Sequence, residues 1–166
     1  VGNGDGRGHG SGYRYTGSLS AAELKPVSEA IGKIDHGQLV PGSTIEIHYV
    51  HSTAPVQPGP TLGACLSKAN GNPQLRVEAV VAVLVNDRKA ADFNKLSSLS
   101  VVKGYNAAPN IPDNLGKPVI YSGSTTGPSY NTAPSTLQVT WSVRPKVLKV
   151  DILSLIHISE PTRPER

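Results

Sequence analysis

The run from Leu75 to Val85 constrains the fold more than any other part of the chain. It is strongly apolar and rich in β-branched residues. Its length and its β-branching both favour a strand over a helix, and apolar residues at nearly every position are typical of a strand covered on both faces. We therefore predict a central strand over these residues.

Four further segments have the β-branched or alternating pattern of strands, namely residues 44–51, 117–121, 137–143 and 147–152. Glycine and proline, with 17 and 14 residues, make up close to a fifth of the chain and favour loops. The sequence thus predicts a single, mainly β domain, α+β at most. It should hold a central, largely antiparallel twisted sheet with long Gly/Pro-rich loops.

Helical signals are short and few. Ser20 and Glu23 have the spacing of a capping box, which predicts the start of a short helix. Asn86 or Asp87 could cap a second short helix that runs to about Leu96. Residues 54–73 are rich in proline and glycine and are predicted to form a long surface loop.

Composition excludes several classes of function. The net charge of +4 comes without a basic run, which argues against a nucleic-acid partner. No apolar stretch reaches the roughly 18–20 residues that a transmembrane helix needs. The sole cysteine, Cys65, has no partner in the chain for a disulfide.

The predicted strand at residues 44–51 carries the chemistry. Side chains alternate between the two faces of a strand, so Glu46, His48 and Val50 share one face while His51 lies on the other. A carboxylate beside a histidine can accept its ring proton, fix its tautomer and raise its basicity, as in many metal sites. At most one of the two histidines can be a ligand of a given metal. For an isolated histidine, a structural role is the more common alternative.

Several blocks of the sequence, taken in order, resemble the delta-class carbonic anhydrases, which are zinc enzymes of marine microalgae. The resemblance extends over nearly all of residues 1–152. The blocks are residues 4–10, 44–51, 58–67, 72–78, 85–87, 123–129 and 139–145. The resemblance implies reversible hydration of carbon dioxide to bicarbonate by a zinc-bound hydroxide. It also implies zinc as the cofactor, with Co²⁺ or Cd²⁺ as candidate replacements.

A more distant similarity to the alpha-class carbonic anhydrases implies a similar sheet and assigns residues. On that comparison His48 matches a zinc ligand, and Glu46 matches the carboxylate that accepts the ring proton of that ligand. Thr125 and Thr126 match a threonine pair beside the zinc-bound water, and Thr125 is favoured as the one that orients the hydroxide. Either threonine could instead be an ordinary turn residue.

The same similarity implies an apolar pocket for carbon dioxide. Val50, Val139 and Trp141 match residues that line it, and Val80 is a looser match. All four could equally be packed core residues, because the wall of such a pocket is itself packed core.

The chain departs from the family pattern in its ligands. The family carries two further zinc histidines in a His-x-His strand upstream, and no such pattern precedes His48. His9 and His36 stand alone. We therefore expect those ligands to precede this chain, which should bind zinc weakly and show no appreciable activity. A metal-free binding or structural module is the alternative function.

The last residues, 153–166, are similar to the in-frame translation of a sequencing adapter. We therefore expect the carbonic anhydrase-like domain to occupy residues 1–152, and residues 153–166 to be a non-native tail.

Overall fold

A computed structural model describes residues 15–29, 31–34, 37–59, 62–124 and 137–158. Strands dominate these ranges. In chain order they are β1 (Ile31–Ile34), β2 (Gly37–Leu39), β3 (Thr44–Ser52), β4 (Leu75–Val85), β5 (Ser100–Val102), β6 (Tyr105–Ala107), β7 (Val119–Ser124), β8 (Gln138–Val143) and β9 (Leu148–Asp151). One short α-helix, α1 (Phe93–Leu96), and two 3₁₀ helices, Leu62–Cys65 and Ile152–Ile158, complete the described elements.

The central sheet is built around β4. Its order is β3-β4-β8-β7, and β9 pairs with the second half of β4. The β3–β4 and β7–β8 pairs are antiparallel, whereas the β4–β8 and β4–β9 pairs are parallel. The prediction of a mainly β single domain around one central sheet is confirmed, but its pairings are evenly mixed and not largely antiparallel.

The two faces of this sheet bury different apolar clusters. The larger cluster includes Ile47, Val80 and Leu84, together with residues of β1, β9 and the last 3₁₀ helix. The smaller one lies on the opposite face and is centred on Val77 and Val139. Because β4 is covered on both faces, its nearly uninterrupted apolar sequence is explained.

The strand predictions hold for every segment named from the sequence, with shifts at the ends. The β5–β6 hairpin was not predicted. Its strands are three residues each and mostly exposed, so they carry no apolar alternation. Its turn is made by Lys103 and Gly104, both with positive φ (51° and 83°), as tight hairpin turns require.

The capping box forms, but no helix follows it. The Ser20 amide donates to Glu23 Oε2 (2.7 Å) and the Glu23 amide donates to Ser20 Oγ (3.2 Å). Residues 21–24 make a single turn, and Pro26 follows at once. Glu23 instead ties the turn to β9 through Lys149 (Nζ to Oε1, 2.5 Å). That hydrogen bond is the main reason why the pKa of Glu23 falls to about 2.

The predicted cap of the second helix was also wrong. Asp92, and neither Asn86 nor Asp87, caps α1, because the Asp92 carboxylate accepts from the amides of Asn94 and Lys95. The residues before it are held differently: the Asn86 amide donates to the Glu23 carbonyl, and Ala91 forms a parallel bridge with Val150. Between these two contacts the chain makes a tight turn, in which the Ala90 amide donates to the Asp87 carbonyl at 3.0 Å, so no helix forms before Asp92.

The segment after β9 packs against the larger cluster. Leu155 is 6% exposed and belongs to that core. Ser154 Oγ accepts from the Phe93 amide (2.9 Å) and donates to the Asp151 carbonyl (2.6 Å). In this chain the segment therefore supports α1. The predicted boundary between the domain, residues 1–152, and the tail, residues 153–166, remains a prediction. No helix in the described ranges is long and apolar enough to cross a membrane.

Candidate metal site

His48 and Glu46 meet on the face of β3 that carries the smaller apolar cluster. His48 Nε2 lies 3.2 Å from Glu46 Oε2, and the two side chains are 37% and 62% exposed. The strand brings them together because residues two apart point to the same face. Glu46 therefore engages Nε2, which leaves Nδ1 of His48 as the ring nitrogen available to a metal.

Trp141 contacts the other side of His48. The two rings meet nearly edge to face, with centroids 5.2 Å apart and planes at 76°. Tyr121 stacks on Trp141 at 6.4 Å and 12°. The three rings form a row across the sheet from β3 to β7.

The apolar residues predicted for a pocket are partly brought together. Val50 and Trp141 pack against the buried cluster that contains Val139. The other buried members are Leu75, Val77 and Leu137. This wall lies on the same face of the sheet as His48.

Val80 requires a correction. It pairs with Ile47, whose side chain points away from His48, and it is fully buried in the larger cluster. The alternation of a strand makes this unavoidable, because Ala79 is the residue opposite His48. The structure does not bring Val80 to the His48 face.

The loop after β3 closes one side of the smaller cluster. Ser52 Oγ donates to the Cys65 carbonyl (2.7 Å), which ties the 3₁₀ helix Leu62–Cys65 to the end of β3. Leu62 and Cys65 pack against the cluster. Burial raises the pKa of the Cys65 thiol, so the side chain is a neutral packing group.

Other residues predicted for the site lie outside the described ranges. These are Thr125 and Thr126, which follow the last residue of β7. The isolated histidines His9 and His36, which were not assigned to the site, also lie outside these ranges. Within the described part of the chain, no group of three or more His, Cys, Asp or Glu side chains could hold a metal ion. His48 and its carboxylate fit one corner of a zinc site, and no complete site is present among these residues.

Three residues that support the site were missed from the sequence. Tyr121, Gly123 and Ala79 contact or adjoin the rings of Trp141 and His48. Their alignment depends on the parallel β4–β8 pairing, which has no short-range signature. The alternation of β7 alone would have placed Tyr121 and Gly123 on one face.

The opposite face of the sheet, where His51 of β3 lies, holds a separate polar group around Glu78 of β4. Glu78 lies between Arg76 and Arg144, and its Oε2 accepts from Arg144 Nη2 at 2.9 Å. Burial opposes ionisation of Glu78, but hydrogen bonds from both arginines outweigh it and hold its pKa below the ordinary value. His51, beside them, has a buried Nε2 with no hydrogen-bond partner among the described residues.

His51 should make folding sensitive to mild acid. Burial, aided by Arg76, lowers its pKa from the ordinary value of 6.5, so the folded state favours the neutral ring. Its contribution to stability is full above about pH 6.5 and is lost as the pH falls through the lowered pKa. The advantage of the wild-type chain over His51→Gln should therefore shrink between pH 7 and pH 5, as measured by urea unfolding. A difference that stays constant over that range would contradict this account.

Comparison with known proteins agrees with the sequence pattern. The family model described as delta carbonic anhydrase matches residues 1–154. Searches of curated proteins and of solved structures gave no significant match.

Proposed function

Because this chain belongs to the delta carbonic anhydrase family, we propose that it is part of the zinc-binding, carbon dioxide-hydrating domain of such an enzyme and contributes one of its zinc ligands. The observation that carries the proposal is the 3.2 Å contact between His48 Nε2 and Glu46 Oε2 beside an apolar wall. This arrangement holds an imidazole ready to bind a metal through Nδ1.

The proposed roles follow from the chemistry of these groups. Zinc lowers the pKa of a water molecule to about 7 and so supplies hydroxide near neutral pH. Glu46 would fix the tautomer and the orientation of the His48 ring. Val50, Val139 and Trp141 offer an apolar surface for carbon dioxide, which has no charge to be solvated.

The proposal assigns the orientation of the hydroxide to residues outside the described ranges. Thr125 or Thr126 would orient the hydroxide, since both directly follow β7 close in sequence to Gly123. Two further ligands are needed for a catalytic zinc site, which has three protein ligands and one open position. With His48 as its one assigned ligand, this chain should bind zinc weakly and hydrate carbon dioxide at no appreciable rate. Robust activity in a stopped-flow assay would refute the ligand assignment.

Replacing Glu46 should weaken zinc binding without unfolding the protein. Glu46→Gln keeps the size of the side chain but removes the charge that supports the His48 ring. The zinc affinity is expected to fall by about 10- to 100-fold. A competition assay with a chromogenic chelator measures this, and Glu29→Gln is the matched control because Glu29 is an exposed carboxylate outside the site. Equal affinities for Glu46→Gln and wild type would remove Glu46 from the site.

The alternative is a metal-free binding or structural module of the same family. The absence of a three-ligand group among the described residues favours it. Zinc stoichiometry separates the two functions. Zinc binding that is lost when His48 is replaced supports the enzyme. Zinc binding that does not depend on His48 supports the module.

A further inference from the structure

We infer that Tyr121 and Gly123 are positioning residues, which hold Trp141 against His48 and thereby fix the orientation of the metal-binding ring. The inference rests on the proposed role of His48. It concerns residues that touch neither the metal nor carbon dioxide in that proposal, and it follows from the contacts around the indole.

The first step is how two rings from strands that are not neighbours come to touch. His48 lies on β3 and Trp141 on β8, with β4 between them, so their backbones are about 10 Å apart. The β4 residue opposite His48 is Ala79, and the one opposite Trp141 is Val77. A methyl group at position 79 leaves room for the rings to lean together to 5.2 Å above β4.

The second step is that β7 fixes the indole. Tyr121 pairs directly with Trp141 and stacks on it at a plane angle of 12°. Trp141 Nε1 donates to the Ser124 carbonyl at 3.3 Å. A Cβ added to Gly123 would lie 3.1 Å from Trp141 Cδ1 and 3.2 Å from Nε1, which is closer than ordinary packing. The indole thus lies in a recess of β7 formed by Tyr121, Gly123 and the Ser124 carbonyl, and any side chain at position 123 would make this recess narrower.

The third step is the effect on His48. Its side chain is 37% exposed, so the surrounding protein does not enclose it on every side. Glu46 holds one edge of the ring, and Trp141 restricts the rotation that this single contact would allow. If Trp141 is displaced, the His48 side chain should therefore sample several rotamers. Metal binding would then cost more conformational entropy, and the metal affinity should fall.

The test uses this chain and two readouts of the surroundings of Trp141, taken under conditions in which every variant is folded. Trp141 is the only tryptophan, so the fluorescence emission of the chain reports the solvent exposure of this indole. Nuclear Overhauser effects between the His48 and Trp141 rings report the contact. In Tyr121→Leu the emission should shift to the red, the ring-to-ring effects should be lost, and the Zn²⁺ affinity should fall by about 3- to 10-fold. Tyr121→Phe should restore all three.

The controls decide between positioning and general packing. Tyr105→Leu removes an exposed tyrosine in the β5–β6 hairpin and should change none of the readouts. Gly123→Ala should displace the indole and reproduce the loss of ring contact with Tyr121 intact. Unchanged ring-to-ring effects in both Tyr121→Leu and Gly123→Ala would overturn the inference. If the wild-type chain binds no Zn²⁺ at His48, the proposed function fails. The ring-to-ring effects in the variants would still test whether Tyr121 and Gly123 hold Trp141 against His48.

Discussion

His48→Ala is expected to lower the zinc affinity of this chain by at least about 100-fold, to the point where binding is no longer measurable. The loss exceeds that of a supporting residue because the substitution removes a ligand itself. Equilibrium dialysis with metal analysis measures the stoichiometry and the affinity together. Folding should be retained, since His48 is partly exposed and lies outside both buried clusters.

The same strand supplies the control. His51 is three residues further along β3, and its side chain lies on the opposite face beside Arg76 and Glu78. His51→Ala should leave the zinc affinity unchanged. If His51→Ala weakened zinc binding as much as His48→Ala, the assignment of faces on β3 would be wrong.

Leu155→Ala is expected to lower the free energy of unfolding by about 2–4 kcal/mol, because it removes a buried side chain from the larger cluster and leaves a cavity. Such a loss is a large fraction of the stability of an ordinary domain, which is about 5–15 kcal/mol. Urea unfolding monitored by the emission of Trp141 gives the value.

Two further variants make this result interpretable. Leu99→Ala, at a leucine that is 54% exposed, should change the unfolding free energy by less than about 0.5 kcal/mol. Leu155→Met keeps most of the volume and should cost less than about 1.5 kcal/mol. If Leu155→Ala behaved like Leu99→Ala, residues 153–158 would not be an integral part of the folded chain.

Local patterns predicted the strands of the central sheet because these patterns reflect burial directly. Leu75–Val85 is apolar except at Arg76 and Glu78, because both faces of the strand are covered over most of its length. The middle of β3 alternates because one of its faces packs more closely than the other. The pairing of Glu46 with His48 follows from the same period of two. The predicted facing of His51 away from His48 is confirmed by the register of β3 on β4.

The remaining features depend on contacts between residues far apart in sequence. The parallel pairing of β8 with β4 places Trp141 next to His48, and no local pattern specifies it. Val80 was placed by resemblance on the pocket side, whereas its register with Ile47 puts it in the other core. The capping box of Ser20 formed without a helix because Pro26 ends the turn, and Glu23 has an additional partner far away in sequence, Lys149.

The most direct test of the proposed site is a zinc titration of the ¹⁵N-labelled chain, followed through the ring nitrogens of His48. If Glu46 holds Nε2–H and the metal binds opposite it, the resonance of Nδ1 should shift with added zinc while Nε2 stays protonated. Zinc that leaves both ring nitrogens of His48 unchanged, or that binds through Nε2, would contradict the account.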